Sequence, residues 1–484
     1  MNNNVEVAII GAGFSGLAAA IRLLKEKRQS LLIFERAPEV GGTWRDNVYP
    51  GCACDIPSHL YSFSFAPNPN WSRTFSPQPE ILNYLKNCVE KYDLAPYLRC
   101  NTEIVHAEFD AKTGRWNLLD RAQNAYSARV VISATGPLNR PNLPKINGLE
   151  NFKGKAFHSS NWDKTYDLRN KRVAVVGTGA SAIQFVPQIA EQVAQLSVFQ
   201  RTPPWITERA DRASSTFEQK LFKVLPFTQK LYRSGQYWFR ELVGLSFVGN
   251  EFMNKVATAQ ARKHLTDSVA DSALRQKLTP NYKLGCKRVL VSDDYYPALC
   301  RSNVALITDP IQEIRAHSII TQDGTEHPID ALIFGTGFVA AEIILDAKIV
   351  GLQGRELIEE WKQTSPEAYY GLTVSGFPNL LFLVGPNTGL GHNSIIHMIE
   401  SQVNYVLEYL RILDQKEKNE FLDLKPQVQR QFNDTVQEQL KSTVWASGCQ
   451  SWYQDSKGKI TSLWPKLSAQ YRKETRRAKA EDYE

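Results

Sequence analysis

Two short glycine-rich segments carry the residue types and spacing in this sequence best suited to chemistry. Gly11-Ala12-Gly13-Phe14-Ser15-Gly16 precedes Leu31-Leu32-Ile33-Phe34, which ends in Glu35. Gly177-Thr178-Gly179-Ala180-Ser181-Ala182 precedes Leu196-Ser197-Val198-Phe199, which runs on into Gln200-Arg201-Thr202. In the G-x-G-x-x-G spacing the first glycine makes a tight turn, the second lets backbone approach a pyrophosphate, and the third lets helix and strand pack closely. The helix that follows offers free N–H groups and a positive dipole end to the phosphates. The two units differ at their far ends. A carboxylate such as Glu35 accepts a bond from a ribose 2′-hydroxyl, whereas an arginine such as Arg201 neutralises a 2′-phosphate. The first unit therefore suits a dinucleotide with a free ribose, such as FAD, and the second suits NADPH. On spacing alone Arg201 also reads as a surface arginine after a strand.

These turns need strands and helices to hold them. Val5 to Ile10, rich in β-branched residues, reads as a buried strand, and Leu17 to Leu24 has helical character. Arg172 to Val176 is the equivalent strand of the second unit. Two further apolar runs, Val130 to Ala134 and Ala331 to Phe334, lead into Thr135-Gly136 and Gly335-Thr336-Gly337, and read as late strands returning to their nucleotide sheets. Pro137, Pro141 and Pro144 stiffen the connector between the units. From Phe217 to Leu278 the pattern is helical; it reads equally as an insertion covering a site and as plain helical core. The expected fold class is α/β, with two Rossmann-like dinucleotide-binding domains and a helical insertion.

At 484 residues the chain is long enough for about three domain-sized units. With 43% hydrophobic and 22% charged residues it needs no disulfide staples, which excludes disordered, collagenous and small disulfide-rich classes. Fifty-seven Lys+Arg against fifty Asp+Glu give a net charge of +7, too mild and too dispersed for a nucleic-acid binder. The densest basic stretch, Arg472, Lys473, Arg476, Arg477 and Lys479, is interleaved with Glu474 and Glu481 and reads as a solvated or helical end. The seven cysteines are scattered without C-x-x-C or zinc spacing, so no metal site is expected and a reducing cytoplasm is the simplest location. The apolar start carries Glu6 and no basic leader, and the run from Ala331 to Val350 contains Glu342 and Asp346, so neither a signal peptide nor a membrane span is expected.

Beyond the glycine turns, Gly41-Gly42-Thr43-Trp44, Tyr49-Pro50-Gly51 and Asp55 fit [AG]-G-x-W-x(4)-[FY]-P-[GM]-x(3)-D, and Phe152-Lys153-Gly154, His158 and Trp162-Asp163 fit F-x-G-x(3)-H-x(3)-W-[PD]. Both patterns mark the type I Baeyer–Villiger monooxygenases, and the sequence resembles that family over essentially its whole length. The resemblance implies an FAD-binding domain at 1–145 completed by 380–484, an NADPH-binding domain at 150–210 and 285–380, and a helical insertion at 211–284. It implies flavin contacts from Thr43, Trp44 and Tyr61, with Asp55 as the carboxylate beside the flavin. Thr178, Ser181 and Gln184 fall in the NADP turn, Arg201 and Thr202 resemble the phosphate clamp, and Cys286-Lys287-Arg288 is similar to the family's C-K-R segment. Lys287 then assists the 2′-phosphate and Arg288 is the active-site arginine. His158 and Trp162 resemble the fingerprint pair at the hinge. The implied reaction is NADPH- and O₂-dependent insertion of oxygen beside a ketone carbonyl through a C4a-peroxyflavin.

Several of these residues have plainer readings. An isolated histidine such as His158 is more often structural than a proton donor. Cys52 and Cys54 are spaced too closely for dithiol exchange and read as small buried residues. Trp445, Cys449, Trp452, Tyr453 and Trp464 read as core more readily than as cavity lining. The stretch Cys52-Ala53-Cys54 lacks the arginine many family members carry there, and Gly389-Leu390-Gly391-His392-Asn393-Ser394 resembles a segment of broader flavin-containing monooxygenases. Oxygenation of sulfur or nitrogen is accordingly the alternative activity, with a thioether as the alternative substrate. A disulfide reductase is disfavoured by the missing C-x-x-C, and a silent nucleotide-binding protein by intact Asp55, Lys287 and Arg288. The sequence leaves the ketone and the oligomeric state open.

Overall fold

The computed structural model describes residues 3–339 and 347–484. Glu342 and Asp346 of the apolar run considered above lie outside the described residues. Two separate sheets organise the chain, each built around one glycine turn. In the first, Asn4–Ile10 is central and pairs parallel with Leu31–Phe34 on one side and Ala125–Ser133 on the other, Ile9 standing beside Ile33 and Ile132. Such a strand is covered on both faces, which is why its sequence is a continuous apolar run rather than an alternation. Leu98–Arg99 extends one edge, and Arg115–Asp120 and Ile104–Asp110 extend the other antiparallel. In the second sheet Val304–Ile307, Gln195–Phe199, Arg172–Val176, Ala331–Phe334 and Lys155–His158 are all parallel.

Both late strands return beside the first strand of their unit, and their exits explain the first glycine of each turn. Gly11 (φ +107°) passes so close to the exit of the first sheet that a Cβ there would lie 2.6 Å from the Ala134 carbonyl oxygen. Gly177 (φ +105°) does the same in the second, 2.5 Å from the Gly335 carbonyl oxygen. A side chain at either position would meet both the left-handed backbone and a wall.

One boundary differs from the sequence expectation. The chain rejoins the first sheet at Lys348–Val350, which pairs with His106–Glu108, and again at Leu380–Phe382 beside Val131–Ser133; the return was expected only at 380. A three-residue strand on a sheet edge leaves no periodicity to read.

The segment 211–284 is helical, as four helices: Thr216–Val224, Pro226–Gly244, Glu251–Ser268 and Ser272–Leu278. Each break has a local cause. Ser215 and Glu218 form a reciprocal capping box, Pro226 opens the second helix, and Asn250 and Asp271 accept from the backbone N–H groups of Met253 and Ala273. The cysteines bring a second correction. Cys286 and Cys449, 163 residues apart, form a disulfide in a chain whose sequence suggests none, because only the folded chain brings them together. Cys52, Cys54, Cys88, Cys100 and Cys300 are free. Trp445, Tyr453 and Trp464 are buried, in keeping with core, while Trp452 is exposed.

Candidate active site

At the first turn Gly13 is the N-cap of helix Phe14–Lys25, and a Cβ there would meet only the Gly42 Cα, at 3.8 Å. The space in front of this backbone is open, as a pyrophosphate cradle requires. Gly16 is the opposite case: a Cβ would sit 1.9 Å from the Gly11 carbonyl oxygen. Ser15 is buried in the first turn of the helix. Glu35 is only 5% exposed. Its Oε2 accepts from Ala12 N at 3.0 Å, and its Oε1 accepts from Ala37 N at 3.0 Å and from Arg45 Nη1 at 2.9 Å. Arg45, which sequence reasoning missed, thus fixes the carboxylate at the end of the strand. Thr43 and Trp44 lie on the short helix Thr43–Asp46, and Trp44 Nε1 donates to the Tyr61 hydroxyl at 3.1 Å. These residues fit a flavin dinucleotide: an open glycine cradle, a fixed acid for the ribose and an aromatic pair behind.

The second turn is equally open, since a Cβ on Gly179 would come no closer than 3.7 Å to the Gly335 carbonyl oxygen. Thr178 Oγ1 donates to the Thr202 carbonyl at 3.4 Å, tying the turn to the end of the next strand. Arg201 is exposed, and Lys287 is half-buried. Burial and the nearby Arg201 charge hold the Lys287 ammonium below its ordinary value. Among the described residues neither cation is paired with a carboxylate, so two like charges share a space that only an anion would relieve. That fits a 2′-phosphate. Ser181 occupies the N-cap position of the helix Ala182–Ala190, and Gln184 lies in its first turn. Its Oε1 accepts from the Tyr49 hydroxyl at 3.0 Å and its Nε2 donates to the Ala53 carbonyl at 3.0 Å. Gly51 passes the same helix so closely that a Cβ would lie 2.6 Å from the Gln184 carbonyl oxygen. The Tyr-Pro-Gly-x-x-x-Asp segment of the first unit is therefore docked on the second.

Asp55, at the end of that docked segment, accepts from Arg288 Nη2 at 2.5 Å. The two side chains retain 27% and 36% exposure, so the pair faces open space. Burial pushes the Asp55 carboxyl up, but Arg288 and the Arg240 charge outweigh it and hold the carboxyl below its usual range. Asp55 raises the guanidinium in return, and Arg288 is charged at any working pH. Its Nε is buried without a partner. The site is richer in cations than the sequence suggested. Arg240 reaches toward Asp55 from the insertion, and Arg209 Nη2 donates to the Cys54 carbonyl at 3.2 Å. Tyr453, expected as core, is buried and also feels the Arg288 charge, with burial raising its hydroxyl to about 12. Nothing in the spacing of Arg209, Arg240 or Tyr453 pointed here. Cys54 and Cys52 are buried thiols, the latter pushed up to about 12, which removes them as nucleophiles.

His158 ends the strand Lys155–His158, buried, with Nδ1 accepting from Ser160 N at 3.1 Å. Burial lowers its pKa, so the ring is neutral and holds a turn. Trp162 packs edge-on against Phe157 and tilts against Phe185 of the helix Ala182–Ala190. His158 thus ends an edge strand of the second sheet, with Trp162 packed beside it on the same unit. Another buried group went unread. Glu241 of the insertion accepts from Ser468 Oγ at 2.6 Å, Asn393 Nδ2 at 2.7 Å and Ala469 N at 3.0 Å, and contacts His392 at 3.2 Å. These bonds outweigh burial and lower its carboxyl to about 2, pinning the insertion to the Gly389–Ser394 segment.

The flavin-binding monooxygenase-like family matches residues 4–390. Two curated relatives named Baeyer–Villiger monooxygenase, from Streptomyces coelicolor and Pseudomonas aeruginosa, are 47% and 48% identical. The alignments cover 100% and 99% of this chain and 93% and 91% of theirs. The chain is a Baeyer–Villiger monooxygenase of the flavin-binding family. Solved structures agree with this Baeyer–Villiger monooxygenase along its length. Cyclohexanone monooxygenase from Rhodococcus sp. Phi1 bound to NADP⁺ superposes with a TM-score of 0.87 at 27% identity, covering 98% of this chain and 97% of that one. OTEMO in complex with FAD and NADP reaches 0.88 at 27% identity over 99% of both.

Proposed function

We propose that this Baeyer–Villiger monooxygenase binds FAD at the first turn and NADPH at the second, and converts a ketone and O₂ into an ester or lactone. The observation that carries the reading is the Asp55–Arg288 pair, which joins the segment docked on the helix Ala182–Ala190 to the Cys286-Lys287-Arg288 segment and is open to solvent. Bound FAD, reduced by NADPH, supplies the activated oxygen that is inserted beside the carbonyl. The protein's part is binding, orientation and electrostatics. Glu35 holds the ribose of the first dinucleotide, with Thr43, Trp44 and Tyr61 against its ring. Arg201, Thr202 and Lys287 hold the 2′-phosphate of the second, next to Thr178 and Ser181. Arg288 is the catalytic cation: negative charge that develops on the ketone oxygen is met by a guanidinium already in place, with no proton to move. Asp55 positions that guanidinium. His158 and Trp162 act from the second sheet as hinge residues. The cytoplasm, where NADPH is regenerated, is the location this reading requires.

The test is a panel of cyclic, linear and aryl ketones with thioethers, oxygen-dependent NADPH consumption being measured and products identified by mass. An ester or lactone one oxygen heavier than its ketone is the expected product. Sulfoxide from thioethers with every ketone returned unchanged would move the enzyme to heteroatom oxygenation.

A further inference from the structure

The helical insertion has two faces, and one of them has no partner within the chain. The long helix Pro226–Gly244 is fixed by its inner face: Arg233 donates to the Ser62 carbonyl at 2.8 Å, the Tyr237 hydroxyl meets Ser468, Glu241 sits in its buried network, and Gly244 lies under the His392 ring. The outer face cannot rotate inward to hide what it carries. Along it run Phe227, Leu231, Trp238 and Leu242, at helical spacing and 52–66% exposed, flanked by Phe217 at 72% and Phe252 at 73%. Among the described residues, ten of the twelve large hydrophobic side chains left exposed fall between 217 and 256. Isolated exposed apolar residues are ordinary, but a contiguous patch on an otherwise well-buried protein marks a surface that something covers.

Charge says what kind of surface covers it. Between residues 219 and 250 the only acid is Glu241, which is buried, whereas Lys220, Lys223 and Lys230 are exposed around the apolar face. At its margins, Glu218 is tied to Arg212 and Glu251 to Lys283. A second copy of the chain docking face to face would set these lysines against their own equivalents, since a two-fold contact joins the same patch on both subunits. An anionic lipid surface pairs with every part of it: aromatic and leucine side chains enter the headgroup region while lysines meet phosphates. No helix among the described residues is long and apolar enough to cross a membrane, so contact of this kind is peripheral.

We propose that the outer face of the insertion docks the enzyme on anionic membrane surfaces. The inner face of the same helix carries Arg240 toward Asp55, so a docked enzyme has its active-site helix lying on the lipid from which an apolar ketone partitions.

The experiment is flotation of the FAD-loaded enzyme with vesicles of phosphatidylcholine alone and of phosphatidylcholine mixed with phosphatidylglycerol. Binding to the mixed vesicles is expected, weaker by about tenfold or more on neutral vesicles or in high salt. Phe227→Glu with Trp238→Glu should abolish it, and Lys220→Glu with Lys223→Glu should weaken it similarly. All four positions lie outside the catalytic site, so flavin content and oxidation of a water-soluble ketone should be unchanged, and flotation reads the surface whether or not the substrate assignment holds. No binding to either vesicle, equal binding to both, or unaltered binding by both folded variants would overturn the proposal. So would a wild-type dimer in sedimentation that the Phe227→Glu, Trp238→Glu variant splits, since the face would then belong to a second copy.

Discussion

The two nucleotide-binding units share a strand, a glycine turn and a helix, and differ in how their terminal charges are satisfied. Glu35 is buried and engaged by two backbone N–H groups and Arg45 before any ligand arrives. Arg201 is exposed and its charge acts on Lys287, and among the described residues neither is paired with an acid. The first charge is satisfied by the fold itself; the second has no acidic partner among the described residues. A resident cofactor suits the first arrangement, and a coenzyme that comes and goes suits the second.

The largest effect should appear where the two units meet. Arg288→Ala should keep its FAD and still be reduced by NADPH, yet lose about 10²–10³ in ester formation, the usual loss for one electrostatic donor. Stopped-flow reduction measured beside ester yield separates the steps. Near-normal yield would remove Arg288 from the chemistry, and loss of FAD would make it structural. Next in size is the coenzyme contrast. Arg201→Ala or Lys287→Ala should raise KM for NADPH by roughly 10–150-fold, the equivalent of one charge-assisted bond of about 1.5–3 kcal/mol, and barely alter NADH. Glu35→Gln should do the reverse, lowering flavin content while leaving the NADPH/NADH ratio alone. Equal losses with both coenzymes would erase the distinction between the units.

One glycine from each turn offers a stability contrast. Gly16→Ala must push a methyl against the Gly11 carbonyl, at a cost of about 1–3 kcal/mol, whereas Gly179→Ala has room and should melt like wild type while binding NADPH more weakly. Thermal melting of both variants decides it. The smallest effect concerns pH. His59 of the first unit accepts from Gln229 of the insertion at 3.0 Å, and burial lowers its pKa to about 4. A histidine kept neutral by the fold stabilises it fully above its ordinary value of 6.5, and that contribution is lost as pH falls from there toward 4. His59→Asn keeps the acceptor without the titration. Its melting temperature should therefore depend less on pH in that window, by about a few degrees. Identical slopes would show that other groups carry the acid sensitivity.

Local features were legible in the sequence: both turns, the strands beside them, the contrast of Glu35 with Arg201, and the helical character of 217–278. Each is written in consecutive residues, as period, turn chemistry or charge. The rest depends on chain segments meeting across long separations. Arg240 meets Asp55 only once the insertion is folded, and Arg209 reaches Cys54 across 155 residues. Glu241 looks like any acid on an amphipathic helix until Ser468 and Asn393 close around it. Cys286 and Cys449 carry no spacing signal, and Lys348–Val350 is too short to announce a strand. Gln184 is legible by its place in the turn, but its amide's bonds to Tyr49 and Ala53 are not, because those residues lie 135 and 131 positions away.

That amide limits how the enzyme can move. With one end accepting from Tyr49 and the other donating to Ala53, and Gly51 pressed against the same helix, Gln184 fastens the segment that leads to Asp55 onto the second unit. Sliding the helix Ala182–Ala190 past that segment would break all three contacts together. Asp55 follows two residues beyond Ala53, so the carboxylate that holds Arg288 is anchored through that fastening.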